Sequence, residues 1–372
     1  MSRVAVTYRV RSAPADVSAV AQAIAFEQSV ELPPSAVHDP EIAAHIAGRV
    51  AGWRRRDDHH FDVDIELAVA TMGGDVAQTV NMLFGNSSLQ DHVELVDVRF
   101  PHECLTMLPG PRYGLSGLRT LLGAPDRPLT CAALKPQGLP VERLAALCET
   151  LARAGIDVIK DDHGLADQAY SPFADRVRAC LRAIDRARAG SAHRAVYAPS
   201  IVGSPRRAAA QIRLAQEAGA QALLLAPSLL GLPAFAELVR EDIKVPVIAH
   251  PSFGGATRIA HPLLIGTLYR ALGADAVIFP HASGRFAPPP SACRELAERA
   301  RAPLGSLAPA LPVPAGGLQL DTLDDVIAFY GHDVMLLVGG SLLSDPKRVG
   351  ERAAQFAAAA RASAPTAQGA SA

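Results

Sequence analysis

The sequence predicts an α/β protein, a C-terminal (β/α)8 barrel preceded by a smaller α+β domain. Three observations predict it. From about residue 128 short apolar runs alternate with amphipathic stretches, eight times over. Those runs are almost continuously hydrophobic, as strands covered on both faces must be. The first 115 residues follow another rhythm, in which apolar and polar residues alternate at period 2.

The N-terminal rhythm reads as strand, helix, strand, helix, strand. Arg3 to Arg11 alternates like a strand, and Pro14 to Phe26 is helix-permissive. His60 to Thr71 places Phe61, Val63, Ile65 and Leu67 at every second position. Gly74 to Phe84 is helical in pattern, and Val93 to Phe100 alternates again. This is the pattern of a ferredoxin-like α+β domain, assigned to residues 1–115, with Pro109-Gly110-Pro111 as punctuation. The barrel is assigned to 116–360. Its eight runs are Leu129–Lys135, Ile156–Asp162, Ala195–Ile201, Ala222–Leu229, Val245–Ser252, Ala276–Ser283, Leu311–Gly317 and Val334–Gly340. The helical stretches between them are Val141–Ala154, Pro172–Ala189, Pro205–Ala218, Pro233–Asp242, Leu263–Leu272, Ser291–Ala302 and Thr322–Phe329, and Pro346–Ala362 follows the last run. An open doubly wound sheet is the alternative, but no early strand–Gly-x-Gly-x-x-Gly–helix unit supports it. Residues 361–372, rich in Ala, Ser, Pro and Gly, read as a disordered tail.

Composition excludes several function classes. The 372 residues are 49% hydrophobic and 20% charged, enough to bury a large core. Lys plus Arg number 36 against 37 Asp plus Glu, a net charge of -1 that argues against a nucleic-acid partner. No apolar run reaches the roughly 18 residues of a membrane span. The five cysteines are scattered with no C-x-x-C pair, so a disulfide framework is not expected and a cytoplasmic location is.

In a (β/α)8 barrel the chemistry sits at the carboxyl ends of the strands. The first run ends in Lys135-Pro136-Gln137-Gly138 and the second in Lys160-Asp161-Asp162-His163. The fifth ends in His250-Pro251-Ser252 and the sixth in Pro280-His281. The seventh and eighth end in Gly316-Gly317 and Gly339-Gly340. Period 2 puts Lys160 and Asp162 on one face and Asp161 on the other. A buried lysine beside carboxylates either keeps its charge in an ion pair or is driven toward the reactive neutral amine. A lone histidine at a strand end is often only a hydrogen-bonded surface residue. Two at one rim favour proton transfer, so Lys135, Lys160, His250 and His281 are the candidate catalytic residues. Paired glycines let backbone N–H groups approach a phosphate, which makes Gly316, Gly317, Gly339 and Gly340 the candidate phosphate cradle.

These segments resemble the RuBisCO large-subunit superfamily. Gly155-Ile156-Asp157-Val158-Ile159-Lys160-Asp161-Asp162 is similar to its second-strand signature, and Leu134-Lys135-Pro136 to its first-strand lysine motif. Phe26-Glu27, Asn81-Met82-Leu83-Phe84-Gly85-Asn86 and Gly110-Pro111-Arg112-Tyr113-Gly114-Leu115 fit as well. The resemblance implies a homodimer whose active sites take Glu27 and Asn86 from the partner subunit. It implies that CO2 can carbamylate Lys160, and that Lys160, Asp162 and the residue at His163 hold Mg2+. It implies Lys135 beside the reacting carbon and the four glycines around a phosphate.

Departures from that pattern argue against CO2 fixation. His163 stands where a carboxylase has Glu, Pro251 where it has a phosphate-binding Arg, and Gln137 where it has a second lysine. A RuBisCO-like protein is therefore expected, acting on a phosphorylated sugar by enediolate chemistry. The run Val158 to Gln168 resembles the 5-methylthioribulose-1-phosphate isomerase type of methionine salvage. The alternatives are 2,3-diketo-5-methylthiopentyl-1-phosphate enolase, a 3-oxo-isoapionate 4-phosphate decarboxylase or transcarboxylase, and a non-catalytic barrel with a degraded metal site.

Overall fold

The computed structural model describes residues 2–189, 191–284 and 286–363. It divides into two compact units. The first comprises the described part of Met1–Leu108 together with Gly254–Leu264, and the second the remainder.

In the first unit, β1 (Arg3–Arg11), α1 (Val17–Glu27), α2 (Pro40–His45), β2 (Arg49–Arg55), β3 (His60–Ala68), α3 (Val76–Phe84), β4 (Val93–Arg99) and α4 (His102–Met107) follow in order. The strands pair antiparallel in the order β2-β3-β1-β4, the ferredoxin-like arrangement. Val4, Val6, Tyr8 and Val10 of β1 and Phe61, Val63, Ile65 and Leu67 of β3 are buried. Strand β2 carries no sequence signal of this kind. It is an edge strand, and Arg49, Arg54 and Arg55 keep it in water, where charge also discourages pairing with other chains.

The second unit opens with α5 (Gly114–Leu122) and then alternates: β5 (Leu129–Leu134), α6 (Val141–Arg153), β6 (Val158–Asp161), α7 (Phe173–Arg188), β7 (Val196–Ala198), β8 (Ser200–Ile201), α8 (Pro205–Glu217), β9 (Leu223–Leu225), α9 (Pro227–Leu230), α10 (Leu232–Glu241) and β10 (Val247–Ala249). After a π-helix, Pro262–Leu268, come α11 (Tyr269–Ala271), β11 (Ala276–Pro280), α12 (Pro290–Arg301), β12 (Leu311–Ala315), α13 (Leu323–Tyr330), β13 (Met335–Val338), α14 (Gly340–Leu343) and α15 (Val349–Ala362). The parallel sheet runs β7-β6-β5-β13-β12-β11-β10-β9-β8. Its two ends, β7 and β8, are halves of one predicted strand interrupted at Pro199. Proline has no N–H for the ladder, yet its carbonyl accepts from Leu224 N at 2.9 Å. The sheet therefore closes on itself as an eight-stranded TIM barrel.

Cys131, Val158, Val196, Leu224, Ile248, Ile278, Val313 and Met335, one from each strand position, fill the barrel interior. Two buried carboxylates lock the amino-terminal floor. Asp157 accepts from Thr130 N and Oγ1 and pairs with Arg127, Nη2–Oδ1 being 2.7 Å. Asp275 accepts from Tyr113 N, Gly114 N and Val247 N. Gly114 has φ +59°, and a Cβ there would stand 2.6 Å from Pro309 O, so glycine is required. Where the sequence predicts an α-helix at Leu263–Leu272, the chain is mostly π-helical. The last helix runs to Ala362, and residues 364–372 of the expected tail lie outside the described residues.

Candidate functional site

Small neighbours make room for the central lysine. On the barrel sheet Lys160 pairs with Ala133 on one side and Ala198 on the other. Its side chain is buried, and its ammonium nitrogen donates to Asp161 O at 3.0 Å. Burial lowers its pKa, working against the nearby carboxylates, so the neutral amine is favoured relative to an exposed lysine.

Alternation separates the next two carboxylates. Asp161 accepts from Arg176 Nε at 3.0 Å, Tyr197 OH at 2.7 Å and Ser200 N at 3.1 Å. Arg176, fully buried, also donates to Ser171 O and Ala166 O, pinning the loop that carries His163. Asp162 takes the opposite face. Lys135 Nζ lies 3.1 Å and His163 Nδ1 3.3 Å from its Oδ1. Both nitrogens face this buried oxygen, neither in good hydrogen-bond alignment. Burial raises the Asp162 pKa, but His163 and the charges of Lys135 and Lys160 outweigh it and hold the carboxyl well below the usual range. Asp162 is therefore an anion, held by the groups around it, with no well-aligned hydrogen bond to Oδ1.

The His163 ring stacks on His250, with centroids 4.2 Å apart and planes at 14°. Ser252 N donates to His250 Nδ1 at 3.2 Å, and Ser252 Oγ lies 2.8 Å from the same atom. A backbone N–H can only donate, so neutral His250 carries its proton on Nε2. Burial, with Lys160 and His163 nearby, drives its pKa down to about 2. Lys135, Lys160, Asp162, His163 and His250 thus form one cluster. His281 stands apart from it. It is buried at the end of β11, with Nδ1 2.9 Å from Tyr330 OH.

Gly316 and Gly317 adopt φ +78° and +81°. A Cβ on Gly317 would meet Gly284 Cα at 2.7 Å, whereas Gly316, Gly339 and Gly340 face open space. Ser341 Oγ donates to Leu318 O at 2.8 Å, tying the two glycine loops together. In the first unit Asn86 Nδ2 donates to Glu27 at 2.9 Å and to Glu31 at 2.8 Å. The sequence reading did not single out Glu31, Arg176, Ser252 or Tyr330. None follows a recognisable spacing, because each meets its partner through the fold.

Among the described residues no three His, Cys, Asp or Glu side chains assemble into a metal cage. The orphaned Asp162 oxygen and the His163 nitrogen supply two donors, and Lys160 becomes a third only as a carbamate.

The fold and this cluster define a class: a TIM-barrel protein with a ferredoxin-like domain and a lysine-carboxylate centre at the strand ends. Residues 114–257 match the ribulose bisphosphate carboxylase large chain, catalytic domain. The chain is 49% identical to Ribulose bisphosphate carboxylase-like protein 1 of Rhodopseudomonas palustris, over 96% of this chain and 97% of that one. It is 46% identical to a protein of Rhodospirillum rubrum named 5-methylthioribulose-1-phosphate isomerase, over 96% of each. A 2,3-diketo-5-methylthiopentyl-1-phosphate enolase of Microcystis aeruginosa is 30% identical, over 82% of this chain and 79% of that one. The crystal structure of a Rubisco-like protein from Rhodopseudomonas palustris superposes with a TM-score of 0.89 at 42% identity, covering 97% and 98% of the two chains. The chain belongs to the RuBisCO large-chain family, among its RuBisCO-like proteins.

Proposed function

We propose that this protein isomerises a phosphorylated ketose, 5-methylthioribulose 1-phosphate, by moving a proton between neighbouring carbons. The observation that carries the reading is Asp162. The barrel's other buried carboxylates, Asp157, Asp161 and Asp275, are satisfied by hydrogen bonds, while Asp162 keeps an orphaned oxygen between Lys135 and His163. The Rhodospirillum rubrum relative, at 46% identity, supports the choice of substrate.

The chemistry is redox-neutral. A base takes the proton from the C–H beside the ketone, and the C–H electron pair becomes the C=C bond of an enediolate. Return of a proton to the former carbonyl carbon moves the carbonyl along the chain. Lys135, partly exposed with its nitrogen 3.1 Å from Asp162, moves the proton once it has given up its own. Neutral His250 donates from Nε2 to a substrate oxygen. Gly316, Gly317, Gly339 and Gly340 present backbone N–H groups to the phosphate. With Lys160 carbamylated, its carbamate, Asp162 and His163 would be the residues that hold Mg2+. That ion supplies charge stabilisation for developing oxyanions. Glu27 and Asn86 complete the site from the partner subunit of a homodimer.

Pure protein incubated with the substrate in D2O will incorporate deuterium at carbon and give a new 31P resonance. Lys160→Met will lower turnover at least about 1000-fold while staying folded. Absence of both exchange and product excludes the isomerase. The enolase relatives at about 30% identity favour a second reading, enolisation of the diketo phosphate. Ultraviolet absorbance of an enol product from that substrate distinguishes it.

A further inference from the structure

The second rim histidine is held by a device outside the cluster described above. Tyr330 closes α13, and its hydroxyl lies 2.9 Å from His281 Nδ1. Both residues are buried. Phe279 and Phe329 pack edge-on against the Tyr330 ring, at 5.8 and 4.7 Å between centroids, so the phenol has little freedom.

A buried phenolic O–H must find an acceptor, and leaving it unpaired costs more than leaving an oxygen lone pair empty. Two acceptors are near. Cys293 Sγ is also within hydrogen-bonding reach of the phenol, while its own thiol proton is turned to Pro280 O at 3.6 Å. Sulfur is the weaker acceptor. The imidazole nitrogen therefore takes the proton of Tyr330, which places the ring's own proton on Nε2. That atom has no hydrogen-bond partner among the described residues.

We propose that Tyr330 is a positioning residue that locks His281 as the neutral Nε2–H tautomer, so that His281 donates a hydrogen bond to a substrate oxygen and is not the base. Both rim histidines are then donors, and proton abstraction falls to a lysine. The assignment of a substrate oxygen rests on the isomerase reading, whereas the tautomer does not.

Uniformly 15N-histidine-labelled protein, in long-range 1H–15N spectra, reports the tautomer without substrate, with His281→Asn assigning the resonance. The expected spectrum has Nε2 protonated and Nδ1 bare in the parent, and in Tyr330→Phe the His281 pair shifts toward mixed tautomers. Protonated Nδ1 in the parent, or an unchanged pair in a folded Tyr330→Phe variant, overturns the lock even if the isomerase is real. In turnover, His281→Gln restores an N–H near the Nε2 position and will exceed His281→Ala by about tenfold. Equal loss in both variants overturns the donor role. If no substrate is turned over while the spectra are as expected, the isomerase reading fails and the lock stands.

Discussion

At the scale of single residues, chemically similar groups have opposite duties. Asp157 is saturated: Thr130 and Arg127 occupy its oxygens at the barrel floor. Asp162, at the other end of the same run, keeps an orphaned oxygen. Removing each charge should separate stability from function. Asp157→Asn weakens a buried ion pair and should lower unfolding stability by about 3 kcal/mol in chemical denaturation. Asp162→Asn gives up contacts only to the partly exposed Lys135 and His163 and should destabilise the fold less than Asp157→Asn. Its activity should fall at least about 100-fold. Equal destabilisation of the two variants would make Asp162 a structural acid. Period-2 alternation alone separated Asp161 from Asp162 in the sequence. It could not say which of them the fold would leave unsatisfied, because Tyr197 and Ser200 arrive from the next strand.

At the scale of elements, the loop after β6 is positioned by a buried cation on the helix that follows it. Arg176 reaches from α7 to Asp161, Ser171 and Ala166. Arg176→Met leaves the Asp161 charge without its partner and should cost about 3–5 kcal/mol. Adding Asp161→Asn to that variant should recover part of the loss, and a fully additive pair would show that the two do not interact. The β2–β3 connection offers a pH test. The N–H of His59 and the His60 ring hold Asp57 down to about 2, below its ordinary 3.8. Its folded-state pKa is depressed, so this contribution is present above about pH 4 and lost as pH falls through about 2. Asp57→Asn should flatten that acid limb, and an NMR titration of the Asp57 carboxyl with a midpoint near 4 would remove the effect. Legibility in the sequence follows burial at this scale. The barrel strands, apolar on both faces, announce themselves, and so do β1, β3 and β4 with one buried face. Strand β2 does not, because the solvated edge carries arginines instead of an apolar alternation. The break at Pro199 follows from proline's missing N–H, and no apolar period distinguishes the π-helical turn at Pro262–Leu268 from an α-helix.

At the scale of the whole molecule, the reading makes a demand that a single chain cannot meet. The proposed chemistry draws Lys160 from one subunit and Glu27 and Asn86 from another. Glu27 and Asn86 are already bonded to each other in the first unit, so they would be delivered together. A homodimer with two shared sites has a particular arithmetic. Lys160→Met and Glu27→Gln each disable every site of their own homodimers. In a mixed dimer one site collects both defects and the other collects neither. Unfolding and refolding a 1:1 mixture makes about half the dimers mixed, so about a quarter of the parent activity should return. Sedimentation must first show a dimer, and each variant alone must be inactive. Recovery that stays at the background of the separate variants, with mixed dimers demonstrated by mass tags, would place Glu27 in the same subunit's site or outside the site altogether. The first result makes assembly a condition of catalysis, so that turnover per chain will fall on dilution below the dimer dissociation constant.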